Sequence, residues 1–255
     1  MNKNKEFFNK TIVIGILILF IETGIVSTIS GYHNNTLDTI SLTFYIFDTS
    51  GTIKFKKDIL NNIAEEIYQM FEDLKNRITG DPFSDETQTL KNDFVEILDA
   101  NGFITQGLSK DDVFSLLNPR WLQRIGNNNS FAKVNIPHSK ISTFVDNFIP
   151  GPFSHSGSAF FCSIAGYGYG ILFSPIMLPR PRLASLWTSY IGAKFSAANL
   201  FTGRGFIASG PQFGITLGFI GIGLSITFPG EPASFGFVGY ALSTFVQAEN
   251  IETFP

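Results

Sequence analysis

The residues that could carry acid–base or nucleophilic chemistry are few in this 255-residue chain. The histidines are His33, His138 and His155, and no two of them have a spacing that suits a shared metal ion. A serine hydrolase would need a histidine, a serine and a carboxylate together, yet no acidic residue lies between Asp146 and Glu231. The sequence therefore predicts no catalytic residue, no metal site and no cofactor, and an enzyme ranks behind the other function classes.

The single cysteine, Cys162, excludes a disulfide within the chain. It lies in the apolar run 159–164, and a free cysteine in such surroundings behaves as a small hydrophobic side chain. We expect Cys162 to be buried rather than to act as a nucleophile.

Arginine and aromatic residues come together at one place in the apolar C-terminal half. Arg180 and Arg182 flank a proline, and Trp187 and Tyr190 follow closely. These residue types are enriched where proteins contact partners. Two interpretations stay open: a solvated connector between strands, or a contact site for an anionic or aromatic partner.

The N-terminus has the pattern of an export signal. Lys3, Lys5 and Lys10 precede the apolar run 11–21, and small or polar residues follow. Residues 1–30 are thus predicted to be a signal peptide. The alternative is an uncleaved anchor, since a helix over 11–30 is long enough to cross a bilayer. Both readings place the remainder in the extracellular space or at the cell surface.

Two sequons follow this segment, at Asn34 and Asn128, and both are candidate glycosylation sites in polar, asparagine-rich stretches.

Charge is low and unevenly distributed. The net charge of −3 and the isoelectric point near 5.6 give no basic field, which argues against nucleic acid as a partner. Most charges precede residue 150, whereas Gly205–Gly230 contains no charged residue. Such a block is typical of a buried glycine-rich sheet or of a segment inserted in lipid, either as a helix or as β structure.

The polar half predicts a hairpin and three helices. Residues 41–47 and 51–56 alternate as two strands around a glycine-containing turn. Apolar residues recur at helical spacing over 57–78, and the opposite, charged face, which includes Lys75, is expected to be solvated. A second helix is expected from Asp81-Pro82 to Gly102, and a third from Ser109, with Asp112 completing a capping box, to before Pro119.

The apolar half predicts eight strands separated by proline and glycine, over 157–166, 167–173, 183–192, 194–201, 204–209, 212–219, 221–228 and 235–247. Their regular spacing indicates an antiparallel meander, open or closed into a small barrel. Within 213–228 the large apolar residues change from odd to even positions, which predicts a tight turn or a β-bulge. This alternation favours a sheet over a membrane helix.

The predicted fold class is α+β: an N-terminal signal or anchor helix, a β-hairpin and amphipathic helices, then a glycine-rich antiparallel β-sheet or small barrel. The predicted division is 1–30, 31–150 and 151–255, with 31–255 as a single domain the alternative. The N-terminal pattern, the turn ANGFITQGLSKDDVFSLL and the blocks FFCSIAGYGYG and GFIGIGLSITF resemble uncharacterised exported archaeal proteins. This resemblance implies export, and that group has no established activity to carry over.

Three functions follow from these features. The first is an exported or cell-surface structural or interaction protein without enzymatic activity. The second is an extracellular protein that binds a small molecule or lipid on a glycine-lined β face. The third is an extracellular hydrolase.

Overall fold

The computed structural model describes residues 39–48, 52–105, 107–119, 155–169, 172–176, 184–189, 191–228 and 233–254, with the backbone alone for 169, 172–176, 184–189 and 191–192. All of them belong to one unit, Asp38–Pro255. The predicted signal or anchor (1–30), both sequons and the predicted boundary at residue 150 lie outside the described residues.

The described part of the chain contains three helices and a largely antiparallel sheet, which confirms the prediction that both kinds of element are present. In chain order the elements are β1 (Thr39–Phe47), β2 (Thr52–Leu60), α1 (Asn61–Gly80), α2 (Asp85–Ala100), α3 (Lys110–Leu117), β3 (His155–Tyr169), β4 (Leu172–Ile176), β5 (Ala184–Ser189), β6 (Ile191–Asn199), β7 (Gly205–Leu217), β8 (Ile220–Ile226) and β9 (Ser234–Phe254).

Two helix starts differ from the prediction. α1 begins at Asn61 rather than at residue 57, because Lys57–Leu60 continue the antiparallel pairing of β2 with β1. α2 begins after Ser84 rather than at Asp81-Pro82, because the Ser84 hydroxyl accepts a hydrogen bond from the Thr87 amide at 3.2 Å.

The third helix begins as predicted. The Ser109 side chain accepts a hydrogen bond from the Asp112 amide, and the Asp112 carboxylate accepts one from the Ser109 amide. This reciprocal pair is the capping box that the sequence indicates.

The strands form one sheet in the order β2-β1-β8-β9-β3-β6-β7-β5-β4, with a further pairing between β9 and β7. The predicted meander is wrong, because β9 pairs with strands that are distant in sequence. One edge of this 21-residue strand pairs with β3, and its other edge pairs with β8 and then with β7. Since β3 also pairs with β6, and β6 with β7, the strands β9, β3, β6 and β7 form a closed circuit.

Two hydrophobic cores result. The first lies between the three helices and one face of the sheet. Its sheet side includes Leu42, Phe44, Ile222, Leu224 and Val238. The second is built mainly by the closed circuit of strands and combines phenylalanine with many small residues. Its members are Phe47, Ala159, Cys162, Ile164, Phe195, Ala197, Phe206, Ala208, Phe219, Phe237, Ala241, Val246 and Ala248.

In both β3 and β9, the side chains that face the second core switch from one side of the strand to the other, at neighbouring positions of the two strands. In β3 the second core contains the odd-numbered Ala159 but the even-numbered Cys162, so the inward-facing positions change from odd to even. Phe161, between these two residues, has a φ of 42°. The register stays constant, with Phe160 opposite Ser243 and Cys162 opposite Ala241. Backbone conformation, and not an inserted residue, therefore reverses the faces.

The same switch explains the phase change within 213–228. β7 and β8 lie end to end along β9, with Leu217 opposite Ser243 and Ile220 opposite Tyr240. Gly218, between them, has a φ of 63°. In place of the predicted turn or bulge, the structure has a glycine in the left-handed conformation, and the register does not change. The alternative of a membrane helix over 205–228 is wrong, because this stretch forms two strands.

Among the helices that the structure describes, none combines the length and the apolar character needed to cross a membrane.

Candidate functional site

The residues predicted as a partner contact are only partly described. Arg180, Arg182 and Tyr190 lie outside the described residues. The backbone of Trp187 lies in β5, opposite Phe173 of β4 and Gly214 of β7. This contact site therefore stays a prediction, as do the glycosylation sites Asn34 and Asn128.

His155 and Cys162 have structural surroundings. His155 begins β3, where its Nδ1 lies 2.9 Å from the backbone oxygen of Glu249. Cys162 is fully buried, as predicted, and burial raises the pKa of its thiol. Within the described ranges, no three side chains of the metal-ligating types come close enough together to hold an ion.

A group of charged and aromatic side chains lies where α1 packs on the sheet. Lys75, predicted to be solvated, is only 3% exposed, and its Nζ lies 2.5 Å from the Glu72 carboxylate. The same Nζ lies 4.1 Å from the ring centroid of Tyr167 on β3. On the same helix, the Phe71 ring packs against Gly236 of β9, where a Cβ would lie 2.8 Å from that ring. The solvated interpretation of Lys75 is therefore wrong.

Electrostatics at this group oppose the charged amine. Burial lowers the pKa of Lys75, and Lys194 on β6 lowers it further, while Glu72 acts in the opposite direction. A lysine with a depressed pKa can act as a nucleophile or base when substrate reaches it. Here the ammonium is covered by Tyr167 and held by Glu72, so the arrangement stabilises the contact between helix and sheet.

A second buried lysine joins three elements. Lys91 of α2 is fully buried, and its Nζ donates to the backbone oxygen of Pro82 at 2.9 Å and to the Asn118 side chain at 3.2 Å. It also lies 3.3 Å from the hydroxyl of Tyr240 on β9. Burial lowers the pKa of Lys91 to about 8 and raises that of Tyr240.

The sequence contained a pattern that points to both lysines. Lys75 follows the apolar Phe71 by four residues, and Lys91 precedes the apolar Val95 by four. Residues four apart lie on one helix face. Position in the apolar stripe therefore outweighs residue type at these two sites. The Tyr240 hydroxyl is a polar partner of Lys91, and the Tyr167 ring covers Lys75.

Aromatic rings cover the glycines of β8 and β9. Gly221 and Gly239 face each other across the two strands, and a Cβ on either would lie within 2.9 Å of the Phe219 ring. A Cβ on Gly223 would lie 2.9 Å from the ring of Phe47. The glycine-lined face considered as a binding surface is thus occupied, at these positions, by the protein's own side chains.

Two open clefts stand out on the described surface. One, of about 410 Å³, lies between β2 and the end of α2 and includes Lys57, Asp58 and Asp99. The other, of about 360 Å³, lies beside the start of α3 and includes Asp48 and Asp111. Neither contains the buried lysines.

Comparison of the chain with protein-family models, curated proteins and solved structures gave no match. The resemblance to exported archaeal proteins therefore stays a prediction.

Proposed function

We propose that this chain is an exported or cell-surface protein with a structural or interaction role, and not an enzyme. The observation that carries the proposal is the filling of the glycine-lined strip by Phe219 and Phe47. Glycines that serve a ligand leave space beside the backbone. Here they let aromatic rings approach the strands, which stabilises the sheet and counts against the small-molecule or lipid-binding alternative.

The buried titratable groups support the same role. Lys91 joins the α1–α2 turn and α3 to the sheet, and Lys75 fastens α1 to β3. Each amine has its hydrogen bonds or ring contacts within the fold, so these two lysines hold the domain together.

Export rests on the N-terminal residues. Lys3, Lys5 and Lys10 before the apolar run 11–21 fit a signal that directs the following domain out of the cytoplasm. Cleavage would release the domain, and retention would hold it at the membrane surface.

Two measurements on protein from its source cells test the proposal. Mass spectrometry of the N-terminus, with cell fractionation, should find the chain outside the cytoplasm, starting near residue 31 or anchored in the membrane. Native mass spectrometry should give the mass of the polypeptide with any glycans. A cytoplasmic chain contradicts export, and a stoichiometric small molecule or lipid that survives purification favours the binding alternative.

A further inference from the structure

We propose that the strand β2 pairs with β2 of a second copy of the chain, so that two sheets join across a twofold axis. This inference rests on the proposed interaction role and names the partner. In the described sheet β2 is the last strand, and β1 is its strand neighbour on one side. A terminal strand presents backbone N–H and C=O groups that another extended strand can pair with.

The segment that would pair consists of residues 53–59. Within it Ile59 is buried and Phe55 is half-buried, while the other side chains are exposed. A twofold axis perpendicular to the sheet at Lys56, the middle of the segment, gives antiparallel pairing over its whole length. Residues that are directly opposite then lie on the same face of the joined sheet.

The face of β2 away from the helices carries complementary charges. Lys54, Lys56 and Asp58 lie on this face. The axis at Lys56 places Lys54 of each copy opposite Asp58 of the other, so the interface contains this attractive pair twice. The Nζ of the exposed Lys54 lies 5.6 Å from the ring centroid of Tyr45, near the outer limit of a cation–π contact, so the side chain can turn to the carboxylate.

Lys56 forms the unfavourable pair of this register, because it lies opposite Lys56 of the other copy. Both side chains are exposed, so the ammonium groups can diverge into water, where their repulsion is screened. The diagonal neighbours of Lys56 are Lys54 and Asp58 of the other copy, and their effects oppose each other. The two attractive pairs therefore outweigh the single like-charge pair.

The face on the side of the helices contributes apolar contact. Ile53 is 43% exposed and would pack beside Ile59 of the other copy, at both ends of the interface. Phe55 would lie beside the aliphatic stem of Lys57, whose Nζ donates to the backbone oxygen of Asn101 at 2.6 Å within its own copy. Pairing therefore covers exposed apolar surface and leaves the hydrogen bond of Lys57 in place.

The neighbouring registers fit less well. An axis at Phe55 would place Lys54 of each copy opposite Lys56 of the other, which opposes like charges twice. An axis at Lys57 would place the exposed Ile53 opposite Asn61, where the strand has ended and α1 begins. The axis at Lys56 is the best of the three, because it combines opposite charges with a partner for Ile53.

Charge reversal in the purified full chain tests the pairing. Sedimentation velocity should detect a wild-type dimer. Lys54→Asp and Asp58→Lys should each raise its dissociation constant at least about tenfold, because both attractive pairs become like-charge pairs. Arg204→Glu, an exposed charge reversal before β7, should change the constant less than about twofold.

Mixing the two interface variants separates pairing from misfolding. An equal mixture of Lys54→Asp and Asp58→Lys should restore the dimer, because one copy then supplies two carboxylates and the other two ammonium groups. Within one chain these positions are four residues apart along a strand, roughly 13 Å, so restoration must occur between copies. It would also show that both variants are folded.

A cysteine on the axis tests the register. In a Cys162→Ala background, Lys56→Cys should give a disulfide-linked dimer on mild oxidation, because the two Cα atoms would lie about 4.5–5.5 Å apart. Lys54→Cys in the same background is the matched control. It should not cross-link, because the two copies of that position would lie roughly 13 Å apart.

Three results would overturn the inference. They are a wild-type chain that stays monomeric at about 0.1 mM, a mixture of the charge variants that does not dimerise, and cross-linking at position 54 as strong as at position 56. None of them bears on export or on a bound small molecule, so the proposed function would stand or fall separately.

Discussion

The ammonium of Lys91 lies 3.3 Å from the hydroxyl of Tyr240, and both side chains are fully buried. Among the described residues, the hydrogen-bond partners of Lys91 are the oxygens of Pro82, Asn118 and Tyr240, and none of them is a carboxylate. A buried ammonium without a counter-charge is costly in its charged form. The pair therefore couples the stability of the helix–sheet contact to pH.

The contribution of Lys91 to stability should rise with pH above about 8. The pKa of Lys91 is lowered from 10.5 to about 8 in the folded protein, so between these values the unfolded chain binds the extra proton. Lys91 alone should contribute an increase on the order of 1–2 kcal/mol in the free energy of unfolding between about pH 8 and 9.5, seen as the difference between wild type and Lys91→Met. The raised pKa of the buried Cys162 thiol acts in the opposite direction in both proteins. Urea titrations of both proteins across this range measure the difference.

Lys91→Met should flatten this rise, whereas Lys56→Met, which removes an exposed lysine, should keep it. Above about pH 10 the sign reverses, because the unfolded tyrosine ionises while the raised pKa of Tyr240 keeps its folded hydroxyl protonated. An unchanged slope in Lys91→Met would contradict the assignment.

Glu72 should matter more to stability than the lysine that it holds. Glu72→Gln leaves the nearly buried Lys75 ammonium without its carboxylate, which should cost about 1–3 kcal/mol. Lys75→Met removes the buried charge and keeps an apolar stem against Tyr167, so its effect should lie within about 1 kcal/mol of zero. Urea unfolding of both single variants and the double variant gives the coupling, and a larger loss in Lys75→Met would refute this ranking.

Local signals were the predictable part of this fold. The capping box of Ser109 and Asp112 and the alternation of Ile222 and Leu224 depend on residues close in sequence, and the structure has both. The start of α1 was mispredicted because Lys57–Leu60 fit either a helical stripe or a strand, and pairing with β1 decides between them. Tertiary contacts therefore override local spacing there.

Long-range pairing was not predictable from the pattern. The position of β9 between β3 on one edge and β8 and β7 on the other depends on partners far apart in the chain. Likewise, Lys75 was assigned to the solvated face of its helix, and nothing in the local pattern shows that Tyr167 and Tyr240 lie opposite Lys75 and Lys91.

A glycine that lies close to the backbone of a neighbouring strand should not tolerate a methyl group. In Gly221→Ala the new Cβ would lie 2.2 Å from the Val238 carbonyl oxygen, so the two strands must separate. We expect a loss of about 2–4 kcal/mol in urea unfolding. Gly80→Ala is the matched control, because no atom lies within 4 Å of a Cβ at the end of α1, and it should be neutral or stabilise by up to about 1 kcal/mol. Equal losses in the two variants would show that the close strand approach at Gly221 is mistaken.

Cys162 should react with thiol reagents only when the domain opens. The side chain is fully buried between β3 and β9, and its raised pKa keeps the thiol protonated, so both access and thiolate are lacking. Labelling by a chromogenic disulfide should be at least about a thousandfold slower in the native protein than in urea. Because the chain has one cysteine, the signal is unambiguous.

The variant Cys162→Ala/Ser115→Cys moves the thiol to an exposed position on α3 and should react at once. Native labelling of Cys162 at that rate would mean that the second core is open in solution.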